Sequence, residues 1–349
     1  MKYKRKLLIE AVVLLLIFMF LMGCRSSDQD VGGETAVSAS ISIDEHEPEA
    51  DAQMLVLPEL TAVNLPGELL NVVATTSVIG DVVAQVGGGA IQLTTLMGPG
   101  QDPHSYEPAA QDLTAVSTAH VIFINGWNLE ESLVSLLETV AETSAIVPAS
   151  ANIEPLPAGS DEHENEHEHG GADPHAWLNP VLVKQWVENI EQTLAALDPA
   201  QAETYRANAL AYQAELDDLI AFMDAQLGTI PAENRVFVTN HDALGYLADQ
   251  FGFEILGTVI PAASTLAEPS ASSMVELVAA MEAKGVCAIF AETTASEALA
   301  QAVAAELSHC EQVQIIQIYT GAIGAAGSAA GSYIGMMKTN TELIVAGLR

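Results

Sequence analysis

The sequence predicts an α/β protein of two lobes, each a four-stranded, mostly parallel sheet flanked by helices, joined by one long helix. Three observations carry this. Eight short runs rich in Val and Ile are apolar on both faces, as strands buried in a parallel sheet are. Helical patterns separate most of them, which implies βαβ units with right-handed crossovers. A long amphipathic stretch divides the runs into four and four. The 349 residues suffice for two domains of roughly 150 each, and half of them are hydrophobic.

The first 23 residues look like an address. Lys2, Lys4, Arg5 and Lys6 precede an apolar run from Leu7 to Met22 that only Glu10 interrupts. The run is short for a permanent span and ends in small residues. Leu21-Met22-Gly23-Cys24 resembles a bacterial lipobox, in which cleavage leaves an acylated Cys24 at the new N-terminus; the alternative is an uncleaved anchor. The expected location is extracytoplasmic, lipid-anchored to the cell membrane, in a periplasm or on a cell surface according to the envelope. Residues 24–67 carry Ser, Asp, Glu, Gly and Pro with no lasting period, and are expected to be a disordered tether.

Within the N-terminal lobe, residues 68–197, the strands are expected at 72–77, 91–97, 121–125 and 145–148. In the C-terminal lobe, residues 229–349, they are expected at 235–240, 254–260, 286–292 and 313–319. Between the lobes, residues 198–228 read as the linking helix. Ala200, Tyr205, Ala209, Tyr212, Leu216, Leu219, Ile220, Met223 and Leu227 recur mostly at spacings of three and four, which makes one helical face. Asp198 is the expected N-cap and Pro199 a first-turn residue, with Gly228 and Pro231 ending the helix. About 28 residues at 1.5 Å each span roughly 40 Å, enough for a strut between lobes.

Charge narrows the function classes. The chain has 46 Asp and Glu against 11 Lys and Arg, a formal net charge of −35. Such a surface repels phosphate backbones, which excludes nucleic acid as a partner and suits cations. Three cysteines are too few for a disulfide-dense scaffold or a multi-cysteine zinc module.

The nine histidines carry the chemistry. The tripeptide Asp-Pro-His occurs twice, ending at His104 and at His175. Proline fixes the backbone before each imidazole, and the aspartate is placed to orient it. His241 directly follows the strand ending at Asn240. In open parallel sheets ligands bind beyond the carboxyl ends of strands. His104 follows the second strand, His241 the fifth, and Glu292 ends the seventh. If the lobes face each other, these side chains converge, and neutral imidazoles suit zinc and other late first-row divalent metals.

From about residue 69 onward the chain resembles the metal-binding receptors of bacterial ABC importers, the ZnuA-like and TroA-like zinc/manganese group. The matching residues are Val73-Ala74-Thr75-Thr76-Ser77, residues 98–108, residues 173–180, Val238-Thr239-Asn240-His241-Asp242-Ala243-Leu244-Gly245-Tyr246, Phe290-Ala291-Glu292-Thr293 and residues 333–340. The resemblance implies two lobes joined by one rigid helix, a metal in the cleft, and His104, His175 and His241 as its ligands. It implies a monomeric, non-enzymatic receptor that delivers Zn2+, or less readily Mn2+, to an ABC permease and its ATPase. One departure stands out. Many members carry an aspartate in a Tyr-Thr-Asp-Ser-like turn, where this chain reads Tyr319-Thr320-Gly321-Ala322. The fourth position is then left to water or to Glu292. Manganese-selective relatives tend to have a carboxylate where this chain has His241, so all-imidazole ligation favours zinc.

Two further features remain. His163, His167 and His169 lie in an acidic loop (within 159–172) that reads either as a solvated charge run or as an accessory zinc collector. Cys287 and Cys310 flank the seventh and eighth strands at one end of a parallel pair, so a disulfide is expected, the alternative being two buried thiols. Competing functions are a zinc hydrolase, with Glu292 as base, and a manganese-specific receptor or adhesin of the same family. Against a hydrolase, the chain has no His-Glu-x-x-His helix, Gly-x-Ser-x-Gly elbow or phosphate loop.

Overall fold

The structure is a computed structural model; it describes residues 53–130, 132–133, 137, 144–159 and 171–349. The signal segment, Cys24 and His163, His167 and His169 lie outside them. Among the described residues no helix is long and apolar enough to cross a membrane.

Two sheets form, each of four strands. The first has β1 (Leu70–Ala74), β2 (Ile91–Thr95), β3 (Val121–Ile124) and β4 (Ala145–Pro148), in the order β2-β1-β3-β4. The second has β5 (Val236–His241), β6 (Glu254–Ile260), β7 (Ala288–Glu292) and β8 (Gln314–Ile318), in the order β6-β5-β7-β8. Every pairing is parallel. All eight strands fall at the expected places, one or two residues shorter in most cases. Both sheets reverse strand order beside their first strand, the position where such sheets open a crevice at the carboxyl ends.

The helices start where side chains satisfy their free N–H groups. The α1 helix (Ser77–Gly87) is capped by Thr76, whose Oγ1 accepts from Ile79 N. After α2 (Ala110–Ser117), α3 (Pro180–Leu197) begins with Asn179 accepting from Val181 N and with proline at its first position. The long helix α4 (Ala202–Leu227) follows a 3-10 turn at Pro199–Gln201. Here Asp198 does not cap. Its Oδ2 instead accepts from the Tyr205 hydroxyl, seven residues on. Most of the expected stripe is buried, from Tyr205 to Leu227, but Ile220 is half-buried and Ala200, in the 3-10 turn ahead of the helix, is exposed. The second lobe adds α5 (Gly245–Phe251), α6 (Ala271–Lys284), α7 (Ala298–Glu306) and α8 (Tyr333–Leu348). Helix α4 packs on α1 and α3 of the first lobe and on α8 of the second, as a strut must.

One hydrophobic core runs through both lobes. It holds β1 and α1, the stripe of α4, Trp177 and Trp186, and, from the second lobe, Phe237, Phe290 and Tyr333. Smaller clusters fill the outer faces of each sheet. Polar contacts reinforce the seam. Trp177 Nε1 donates to Thr320 O at 2.7 Å and Tyr333 Oη donates to Trp177 O at 2.7 Å. Tyr333 N donates to Asp81 Oδ2 at 2.9 Å. Each joins a residue before the long helix to one after it.

Residues 53–67 depart from the expected tether. Leu57, Leu60, Val63 and Leu65 pack on the main core. Val63 N donates to Leu197 O, and Asn152 N to Leu55 O. Gly126 sits at φ 96° beneath this strap, where an added Cβ would come within 2.3 Å of Leu55 Cδ1. Polar composition hid a set of leucines spaced to lie along a groove.

The cysteines form the expected disulfide, Cys287–Cys310, with Cα atoms 5.9 Å apart.

Candidate metal centre

Each of the three histidines is delivered by a backbone device at the cleft. The two Asp-Pro-His segments fold alike. Asp102 Oδ1 accepts from His104 N at 3.0 Å, and Asp173 Oδ1 accepts from His175 N at 2.9 Å. An aspartate that binds the N–H two residues on makes an Asx turn, and the intervening proline has no N–H to compete. His175 leads into the 3-10 turn Ala176–Leu178, and Asn179 then caps α3. His241 is the last residue of β5.

The rings meet. His104, His175 and His241 are 3%, 1% and 2% exposed, with ring centroids 5.0–5.6 Å apart. Nε2 of His175 lies 3.3 Å from Nε2 of His104 and 3.2 Å from Nε2 of His241. Nitrogens at these separations are joined either by a hydrogen, one imidazole donating N–H to the other, or by a shared metal cation. Nitrogens at 2.0–2.1 Å from a tetrahedral zinc are about 3.3–3.4 Å apart, which matches these separations.

The outer nitrogens differ. His175 Nδ1 is 2.8 Å from Asp173 Oδ1, and His241 Nδ1 hydrogen-bonds to Glu292 Oε1. Such carboxylates fix the tautomer that leaves Nε2 free to ligate. The second oxygen of Glu292 accepts from Thr320 Oγ1 at 2.8 Å. Both oxygens of Glu292 are therefore engaged, which places it behind His241. Asp102 does not orient His104. Its Oδ2 accepts from Ser105 and, across the cleft, from Thr265, and His104 Nδ1 is buried with no hydrogen-bond partner.

Electrostatics separate the three rings. Burial, reinforced by the other two imidazoles, pulls His104 down to about 3. Burial, then His241, holds His175 well below 6.5. For His241 burial also acts downward, but the charge and hydrogen bond of Glu292 outweigh it, and the ring is raised. Glu292 answers in kind. Burial pushes it up, and the charge and hydrogen bonds of His241 and Thr320 bring it below the usual carboxylate range. Burial lifts Asp173 to about 7. The neutral form is therefore favoured at His104 and His175, and the charged forms at His241 and Glu292.

The turn after β8 approaches this pair from the other side. Gly321 follows Thr320, and a Cβ there would meet Pro103 Cδ at 3.0 Å and Thr294 Oγ1 at 3.4 Å. The space for a side chain at Gly321 is therefore narrow. Thr320, Thr265 and Trp177 were not singled out in the sequence; only the position of Thr320 beside Gly321 pointed towards it.

Residues 72–347 match the family described as ZnuA, zinc-uptake complex component A, periplasmic. The chain belongs to this family. The family comprises metal-binding receptors of ABC importers rather than enzymes, which removes the hydrolase alternative. Among its relatives, the manganese-binding lipoprotein MntA of Halalkalibacterium halodurans is 35% identical over 291 residues, covering 83% of this chain and 92% of the relative. The zinc-binding protein TroA of Treponema pallidum is 34% identical over 281 residues, covering 79% and 88%. The solved structure of the periplasmic zinc-binding TroA from Treponema pallidum superposes with a TM-score of 0.70 at 33% identity, covering 79% of this chain and 98% of that one.

Proposed function

We propose that this ZnuA-family receptor captures Zn2+ outside the cytoplasmic membrane, binds it through His104, His175 and His241, and hands it to an ABC permease driven by its ATPase. Convergence of three buried imidazoles carries the reading, with His175 Nε2 at tetrahedral spacing from the Nε2 atoms of His104 and His241. An all-nitrogen donor set suits a borderline-soft cation, whereas Mn2+ prefers oxygen. The two carboxylates against the rings are both engaged, Asp173 by His175 and Glu292 by His241 and Thr320, and serve to position rather than to ligate. Water completes the fourth position, an arrangement that favours exchange over permanent retention.

The anchor is the acylated Cys24, the protein acts as a monomer, and His163, His167 and His169 form an accessory collector. A manganese receptor is the second reading. The MntA relative is named as manganese-binding and is as similar as the zinc-binding TroA. Metal analysis of the purified protein, followed by zinc–manganese competition, tests the choice. Zinc should be retained and should displace manganese; displacement of zinc by manganese overturns the reading. Changing any one of the three histidines to Ala should weaken zinc binding about tenfold or more. Unaltered affinity in all three variants would remove the site.

A further inference from the structure

A second group of soft ligands lies at the opposite end of the second sheet. Cys287 immediately precedes β7, and Cys310 lies ahead of β8, its parallel neighbour. His241 and Glu292 close the carboxyl ends of this sheet, whereas the cysteines stand at its amino ends. Five strand residues separate Cys287 from Glu292, about 16 Å at 3.3 Å per residue. The cystine is therefore no part of the interlobe centre.

An imidazole is seated on this disulfide. His309 is exposed, and its Nε2 lies 3.2 Å from Cys310 Sγ and 3.5 Å from Cys287 Sγ. All three ligand atoms lie within 4.8 Å of one another. The turn that carries His309 is fastened to α6, where Glu282 Oε1 accepts from Ser308 N and from Ser308 Oγ. His309 is thus presented to both sulfurs by an anchored turn. A purely structural cystine needs no such partner.

We propose that Cys287, His309 and Cys310 form a redox-gated metal site, closed as the cystine and opened by a dithiol. Opening is a thiol–disulfide exchange. A thiolate of the external dithiol attacks one exposed Sγ, its second thiol closes a cyclic disulfide, and two electrons pass to the cystine, leaving two protein thiols. Binding of a divalent cation then displaces the two thiol protons to solvent and forms two metal–thiolate bonds and one metal–imidazole bond. The donor set of two sulfurs and one nitrogen selects zinc, cadmium or cuprous copper and rejects manganese and magnesium. Little movement is required. Tetrahedral coordination, with metal–sulfur near 2.3 Å and metal–nitrogen near 2.0 Å, sets nitrogen–sulfur separations of about 3.5 Å, close to those already present. The sulfurs must part to about 3.8 Å, which side-chain rotation supplies at the existing Cα separation of 5.9 Å. Solvent fills the fourth position, because His309 is exposed and both cysteines are partly so. Reduction would therefore raise the metal capacity of the chain by one soft ion without touching its cargo site.

Cadmium binding to the full chain in detergent, oxidised and after reduction by dithiothreitol with anaerobic removal of the reductant, tests the site. The reduced chain should gain two titratable thiols, one additional cadmium and a cadmium–thiolate charge-transfer band, none of which the oxidised chain shows. C310S should lose the additional cadmium and the band, although Cys24 and Cys287 remain. H309A should keep both thiols but bind the additional cadmium about tenfold or more weakly, with cadmium binding to the oxidised protein unchanged. Failure of dithiothreitol to release thiols, released thiols without the extra cadmium, or equal affinity in H309A and the native chain would each overturn the proposal; the first and second comparisons need no variant.

Discussion

Thr265 donates a hydrogen bond of 2.6 Å to Asp102 Oδ2, joining the loop after β6 to the loop after β2 across the mouth of the cleft. The same aspartate holds His104 N through its other oxygen. One side chain therefore shapes the turn of a metal-site residue and fastens that turn to the opposite lobe. Thr265→Val keeps the shape and removes the donor. A hydrogen bond to a charged acceptor contributes about 1.5–3 kcal/mol when buried and less in this half-buried position, so about 1 kcal/mol is expected here. Zinc release into a chelator, followed by stopped flow, should quicken about fivefold, with a fall in thermal stability of no more than a few degrees. An unaltered release rate would show that this bond does not restrain the cleft.

The two carboxylates behind the imidazoles should be felt without touching the ion. Asp173→Asn and Glu292→Gln each remove a charged acceptor from an Nδ1–H while leaving all three Nε2 ligands in place. Partners of this kind contribute about 10–100-fold to metal affinity. Calorimetry should find that loss in each variant. A loss as large as that of His175→Ala in the Glu292 variant would instead make Glu292 a direct ligand.

Proton release should single out His241. Zinc replaces whatever proton each Nε2 carries. His104, at about 3, and His175, well below 6.5, are already neutral at pH 7, whereas His241 is raised by Glu292. Binding should therefore release fewer than three protons per zinc at pH 7, with His241 their main source. The sign follows directly: affinity is full above the raised value of His241 and falls as pH drops through it, by about tenfold per pH unit. Titration in buffers of different ionisation enthalpy counts the protons. In Glu292→Gln the release at pH 7 should fall towards zero, because His241 loses the charge that holds its proton.

Much of this was legible in the residues. Uniformly apolar runs such as Val121–Ile124 and the first four residues of β7, Ala288 to Ala291, leave no solvent face, so their place in a covered parallel sheet followed from composition alone. The repeated Asp-Pro-His marked two equivalent turns because proline and aspartate act locally. Local chemistry could not say that Asp173 turns to its own imidazole while Asp102 turns to Thr265. That choice depends on which loop of the other lobe arrives opposite, 163 residues away in the chain. The same holds for Glu292: strand ends placed it at the cleft, but only the packing of β5, β7 and Thr320 decides that both oxygens are used. Asp198 misled for a similar reason, since a tyrosine seven residues later offered its carboxylate a better partner than the helix N-terminus did.

Gly321 offers the sharpest test of metal choice. It stands in the turn beside Thr320, where a side chain would face Pro103 and Thr294 at the cleft. An aspartate there introduces a hard oxygen donor into a centre otherwise made of imidazoles. Its Cβ would press on Pro103 Cδ at 3.0 Å, so the loop holding His104 must yield by a few tenths of an ångström. The cost is steric and modest, and it falls on binding of any metal alike. The gain does not: a carboxylate oxygen favours manganese over a borderline-soft cation more than an imidazole does. Gly321→Asp should therefore narrow the preference for zinc over manganese about tenfold or more in direct competition, chiefly by tightening manganese. If the ratio is unchanged while both metals still bind, the turn after β8 does not reach the ion, and selectivity rests on the three histidines alone.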